Sequence, residues 1–262
     1  MEALGRFFRR ILMAYKRASI VADWRTYLLF DLIPPISQTL FFSLVAYAIY
    51  GPAYIRKWMI GNALLIASFT ALYGVGSQLI AEKHHGTLSL LIASKTKLSA
   101  ILLSSTISAM CTSLISVSLG TSLVSVMLGI VWDRSLIYSF SLVLLLATFV
   151  AMSFGYLFAC FILVTTEVNL VLNLFGRILL IFTGANVSIR KLPPFFQGFS
   201  KILPLTRSIQ IAQGLMEGKA LSDYGRLFLE EILLGIIFLL LAIFVLAFME
   251  NKARKDSTIE LI

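Results

Sequence analysis

The residues that could do chemistry in this chain are few, and most of their arrangements do not close into a reactive site. His84 and His85 stand side by side next to Glu82. Adjacent histidines point to different sides of a helix, and no cysteine or carboxylate cluster completes a tetrahedral set, so no metal centre is expected. Gly74-Val75-Gly76 starts like a dinucleotide-binding turn but lacks the third glycine and sits in mid-span, where packing or bending is the expected role. No G-x-x-x-x-G-K-[ST] phosphate loop occurs, so ATP is not expected to bind in that manner. No nucleophile, base and orienting group can be assembled either, which speaks against an enzyme. Cys111 and Cys160 lie in apolar runs, where thiols behave as small buried apolar groups.

What remains is polar chemistry inside apolar sequence. Asn169, Asn173 and Arg177 recur every four residues, which puts them on one helical face. Such a stripe must face protein or water, because charges in lipid are costly. It therefore either binds helices together or lines a cavity. Asp31 lies about one turn into another apolar run, and Glu230 and Glu231 open the last one, where water or the preceding segment is expected to meet them.

The elements that hold these residues are membrane spans. The chain is 59% hydrophobic and 13% charged, against roughly a quarter charged for a soluble domain. Six runs reach the ~20 residues needed to cross a bilayer, at about 27–50, 59–81, 98–130, 136–163, 168–188 and 227–249. Trp24, Trp58 and Trp132 fall at span ends, as do Tyr27, Tyr50, Tyr54 and Tyr138, where amphipathic rings settle. Twelve Lys or Arg in the N-terminal 25 residues, the 82–97 loop and the tail oppose three in the short loops on the other side, which predicts cytoplasmic N- and C-termini. The net charge of +9 is thereby a topology signal, and no polar basic module points to nucleic acid.

Three further features stand out. In residues 1–25, Leu4, Phe7, Phe8, Ile11, Leu12 and Tyr15 face away from Arg6, Arg9, Arg10, Lys16 and Arg17, as in a helix lying against anionic membrane lipids. The third span carries many small hydroxyls between Ser104 and Ser125, suited to close packing or to a pore. At 33 residues, about 50 Å of helix, it should either break near Gly120 or project beyond the bilayer. Over 189–226, Pro193, Pro194 and Pro204 cut an apolar stretch into pieces too short to span, predicting short helices near 194–202 and 205–217 that dip into the outer leaflet.

The 81–97 link should be a solvated loop, yet it spells a helix. Gly86 breaks the preceding helix, Thr87 is a good N-cap, and Leu88, Leu91 and Ile92 share one face that calls for a docked partner. This pattern, Glu82 then Gly86-Thr87-Leu88, Leu91 and Ser94, resembles the cytoplasmic coupling segment of ABC-2 type permeases. Leu192-Pro193, Phe196-Gln197 and Leu203-Pro204-Leu205-Thr206 resemble the signature that precedes the last span of that family. The chain departs from the pattern at Ser89, where relatives usually have Glu, and at Lys95, where Pro is frequent.

The resemblance covers nearly the whole chain. It implies an all-α integral membrane protein, one ABC-2 type transmembrane domain over 1–262, with a 1–25 interfacial helix, an 81–97 coupling segment and a 189–226 re-entrant segment. It further implies a plasma-membrane exporter subunit in a homo- or heterodimer, with cytosolic ATPase subunits. Those partners carry ATP and magnesium, and this chain carries no cofactor. Candidate cargo is a hydrophobic small molecule, a peptide or a lipid-like compound, with a glycan or glycolipid as the alternative. A non-transporting scaffold or sensor is the rival reading, and a secondary transporter ranks behind it, since matched broken helices are lacking.

Overall fold

The computed structural model describes residues 23–84, 86, 98–165 and 167–256, and among these no strand occurs. A helical turn at Trp24–Thr26 and a π-helical stretch at Tyr27–Leu32 lead into α1, Ile33–Tyr50. The long helices α2, Ile55–His84, α3, Leu98–Met127, and α4, Arg134–Val164, follow. The shorter α5 covers Val168–Phe182. Two short helices, α6 at Pro194–Ile202 and α7 at Thr206–Met216, precede the last helix, α8, Gly225–Asp256.

Among the described residues, four helical stretches are long and apolar enough to cross a membrane: Ile33–Tyr50, Ile101–Met127, Arg134–Leu163 and Leu221–Met249. The core centres on α2, which packs on α1, α3, α4, α5 and α7. Its Met59, Ile60, Ala63, Leu64, Leu65 and Ala67 are all fully buried. The last helix lies mainly on α4, where Gly235 allows the approach: a Cβ there would come within 2.7 Å of the Phe149 ring. Contacts of this kind suit a bundle without a hydrophobic driving force between helices, since lipid is as apolar as leucine.

The helices bear on several expectations that the sequence leaves open. The third long helix does not break at Gly120; it runs unbroken to Met127, against Ile66 and Ile36 at that glycine. Its hydroxyls fold back on their own helix: Ser105 donates to the Ile101 carbonyl, Thr106 to Leu102, Ser116 to Thr112 and Ser125 to Thr121. Ser104, Ser105, Thr106, Ser113, Ser116, Thr121 and Ser125 are buried within this chain, whereas Ser118 and Ser122 are exposed. Cys111 is exposed, while Cys160 is buried as expected, and both thiols are free. The fifth helix ends at Phe182 instead of 188, so its 15 residues rise about 22 Å. Gly184, with φ +87, then turns the chain toward α2. Gly74 serves packing, as its Cβ position lies 3.4 Å from Ala109 on α3 within an unbroken α2.

Candidate functional site

The segment between α5 and α8 is bound to the bundle by polar contacts at three places. Asn62, buried on α2, donates from Nδ2 to Asn186 Oδ1 at 2.7 Å, and Gln213 Nε2 donates to the Gly184 carbonyl at 3.1 Å. Gly61 makes room for this crossing, since a Cβ there would sit 3.0 Å from the Ala185 Cα. At a second point Lys57 Nζ donates to Glu217 Oε1 at 2.9 Å. The nearby ammonium holds the Glu217 carboxyl below its ordinary range.

The third tie joins α7 to α8. Arg207 Nε donates to Glu230 Oε2 at 3.0 Å and its Nη1 lies 3.5 Å from Glu231 Oε2. The same Nη1 donates to the Lys201 carbonyl at the end of α6 at 3.0 Å. Ser208 Oγ donates to Glu231 Oε1 at 3.1 Å, and Arg226 Nε donates to Glu230 Oε1 at 2.9 Å. Glu231 is wholly buried, and Ser208 and Arg207 are the partners its carboxyl finds there. Sequence reasoning left this cluster open between water and the preceding segment. The sign that could have found it is two carboxylates inside an apolar span, which need a cation nearby.

The signature residues build the corner between α6 and α7. Pro193 and Pro194 start α6, Gln197 Nε2 donates to the Leu192 carbonyl at 2.7 Å, and the Phe196 ring stacks on Phe182 at 5.1 Å between centroids. After Pro204, Leu205 takes a left-handed conformation, φ 67, with its side chain fully buried. For a non-glycine residue that costs about 1–2 kcal/mol. The Thr206 hydroxyl, donating to the Ser200 carbonyl at 2.6 Å, helps to hold the corner. Gly214, on α7, faces Tyr224 so closely that any Cβ would run into the phenol.

On α5 the predicted stripe forms and is exposed: Asn169, Asn173 and Arg177 lie on a face adjoining the one that buries Val168, Leu172, Gly176 and Leu179. Asn173 Nδ2 donates to the Asn169 carbonyl at 2.8 Å, and the Tyr73 hydroxyl of α2 donates to Asn173 Oδ1 at 3.2 Å. Within this chain the stripe is thus tied to α2 at Asn173 alone among the described contacts, and Arg177 stays exposed. At the other end of α2, the helix covers Glu82 and stops at His84, and Gly86 follows with φ +65. Left-handed glycine just past a helix end is a common terminator. Thr87, Leu88, Leu91 and Ile92 lie outside the described residues, as does the interfacial helix through residue 22.

Membrane-length helices and a proline-cut segment pinned across α2 and α8 fit a membrane transport bundle. The family model for the ABC-2 type transporter matches residues 9–216. The chain belongs to the ABC-2 type transporter family. It is a multi-pass membrane protein and a permease of the ABC type. The match ends at Met216, the last residue of α7, so Glu230 and Glu231 lie outside the matched part of this ABC-2 permease. No curated protein matches the chain.

Proposed function

We propose that this permease exports a hydrophobic small molecule, a peptide or a lipid-like compound from the cytoplasm, driven by separate ATPase subunits docked on 81–97. Two permease subunits enclose a cavity, and Asn169, Asn173 and Arg177 line it. Closure of the ATPases on ATP and magnesium pushes the 87–94 helices and changes the side to which the cavity opens. The termini are cytoplasmic, and the membrane is a bacterial or archaeal inner membrane. Six spans follow if α2, as long as α3, crosses fully and α5 crosses together with the 183–188 stretch.

The observation that carries this reading is the exposed polar face of α5. A guanidinium left in hydrocarbon costs at least ~2.5 kcal/mol even on insertion-based scales, so Arg177 needs water or protein beside it. A wet cavity between subunits provides that. The compact 189–226 segment favours this class of cargo over a glycan or glycolipid. The test measures dimer content, ATPase co-purification and substrate-stimulated turnover on the same preparations of wild type and Arg177→Leu. Normal dimer and ATPase content with altered turnover supports the cavity. Loss of turnover in proportion to lost dimer assigns the stripe to packing, and absence of any ATPase partner favours a scaffold or sensor.

A further inference from the structure

We propose that the face of α5 carrying Asn173 and Arg177, with Tyr73 of α2 beside it, binds the anionic group of an amphipathic cargo. This rests on the export reading above and adds the charge class of what is exported.

Arg177 is exposed, and among the described residues none pairs with it. No acidic residue occurs anywhere on α5. The one carboxylate on α2, Glu82, is nine residues beyond Tyr73, about 13 Å along the axis. The neighbouring groups are already committed in a way that leaves donors over. Asn173 uses its oxygen on the Tyr73 hydroxyl and one amide hydrogen on the Asn169 carbonyl. Toward an incoming group it offers its second N–H, and Arg177 offers five. Gly176 allows this grouping, because a Cβ there would lie 3.2 Å from the Phe69 ring and 3.9 Å from the Tyr73 oxygen. A donor-rich, carboxylate-poor patch of this kind selects a carboxylate or a phosphate.

The surroundings specify the rest of the molecule. Leu170, Leu174 and Ile181 are exposed at 63%, 54% and 45% on the same helix, and they supply apolar surface for a tail. In a dimer of this chain, a second Arg177 would enter the same cavity. Two unscreened guanidinium groups repel each other, and an anion between them removes that repulsion.

The test uses the full chain in phosphatidylcholine nanodiscs with radiolabelled octyl phosphate, and empty nanodiscs as background. Saturable binding is expected, displaced by octanoate and not by octyltrimethylammonium. Arg177→Gln should weaken it about tenfold or more, while Arg177→Lys, which keeps the charge and guards against misfolding, should lose less. Equal binding of anionic and cationic probes, or unchanged affinity in Arg177→Gln, overturns the proposal. So does loss of probe binding when phosphatidylglycerol is added to the nanodisc, which would assign the site to bilayer lipid. About tenfold tighter binding in Asp31→Asn would make that carboxylate the counter-ion of Arg177, and the proposal would fall. Anion-selective binding without any ATPase partner would sink the export reading alone. ATP-driven transport indifferent to probe charge would sink this inference alone.

Discussion

Glu231 and Ser208 meet with both residues wholly buried, the Ser208 hydroxyl donating to the Glu231 carboxylate at 3.1 Å. The pair ties the last helix to α7, and Arg207 beside it reaches both Glu230 and Glu231. Because the same guanidinium donates to the Lys201 carbonyl, one side chain fixes the end of α6, the start of α7 and the start of α8. The 189–226 segment is thus tied to the last helix by a hydrogen-bonded cluster around the buried Glu231.

Removing one partner of this cluster should therefore cost more than removing its charge alone. Glu231→Ala leaves Arg207 and Ser208 short of a buried partner, and a loss of about 3–5 kcal/mol is expected. Glu231→Gln keeps the shape and the Ser208 hydrogen bond and should lose less. Thermal unfolding in detergent, followed by size-exclusion fluorescence, checks the order. Equal stability of the alanine variant and wild type would show that the cluster contributes nothing.

The second expectation concerns Gly214, where α7 passes Tyr224 with no room for a methyl group. Gly214→Ala should destabilise the protein by about 1–3 kcal/mol, as overpacking does. Pairing it with Tyr224→Ala, which removes the ring in the way, should recover part of that loss relative to Tyr224→Ala alone. A double-mutant cycle on melting temperature reads the coupling.

Much of this architecture could be read from the sequence, and the reasons differ by element. The helices at Pro194–Ile202 and Thr206–Met216 were predictable because proline marks starts and breaks with little help from context. The α5 stripe was legible because four-residue spacing fixes a face whatever the helix packs against. The early end of α5 was not read, although Thr183, Gly184 and Asn186 interrupt the apolar run after Phe182; what holds the chain there, Asn62 of α2 and Gln213 of α7, is set by packing. Nor was the fate of the α3 hydroxyls: bonding back to their own helix and lining a pore have the same sequence. The Arg207 cluster depends on which charged residues of α7 and α8 meet, and that is a property of packing.

A pH effect follows from Glu217, whose carboxyl is held low chiefly by its hydrogen bond from Lys57. A depressed carboxyl contributes stability above its ordinary pKa of about 4.3, and loses it as pH falls through the lowered value. Both side chains are over a third exposed, so the pair contributes under about 1 kcal/mol. Wild type should melt slightly above Glu217→Gln at pH 7, and the two should converge in the acid range below pH ~4. A gap that widens on acidification would reverse the sign of the argument.

Topology can be tested with single cysteines placed on a background freed of Cys111 and Cys160. Cysteines at Lys95 and Lys255 should resist a membrane-impermeant thiol reagent in intact cells, whereas those at Arg134 and Lys191 should react. The expectation comes from the excess of basic residues on one side of the spans. Labelling at Lys95 from outside would invert the orientation and remove the 81–97 segment from the reach of a cytosolic ATPase.

Coupling is the last expectation, and it falls on Leu88 and Leu91. The helix before them ends at His84, and Gly86 follows in a left-handed conformation. If the 87–94 stretch forms the expected cytosolic helix, two leucines on one face have little reason to be there unless a partner covers them. If they fill a pocket on the ATPase, Leu88→Asp or Leu91→Asp puts an unpaired charge into that contact, at a cost of several kcal/mol. ATPase co-purification and ATP-driven transport should both fall at least tenfold, since each ~1.4 kcal/mol is a factor of ten in affinity. Expression and thermal stability of the permease itself should not change if the two leucines serve only the partner contact. Leu88→Ala and Leu91→Ala should give smaller losses in the same direction, which separates lost contact area from buried charge. Wild-type ATPase recovery in both aspartate variants would return the 87–94 stretch to an ordinary solvated loop.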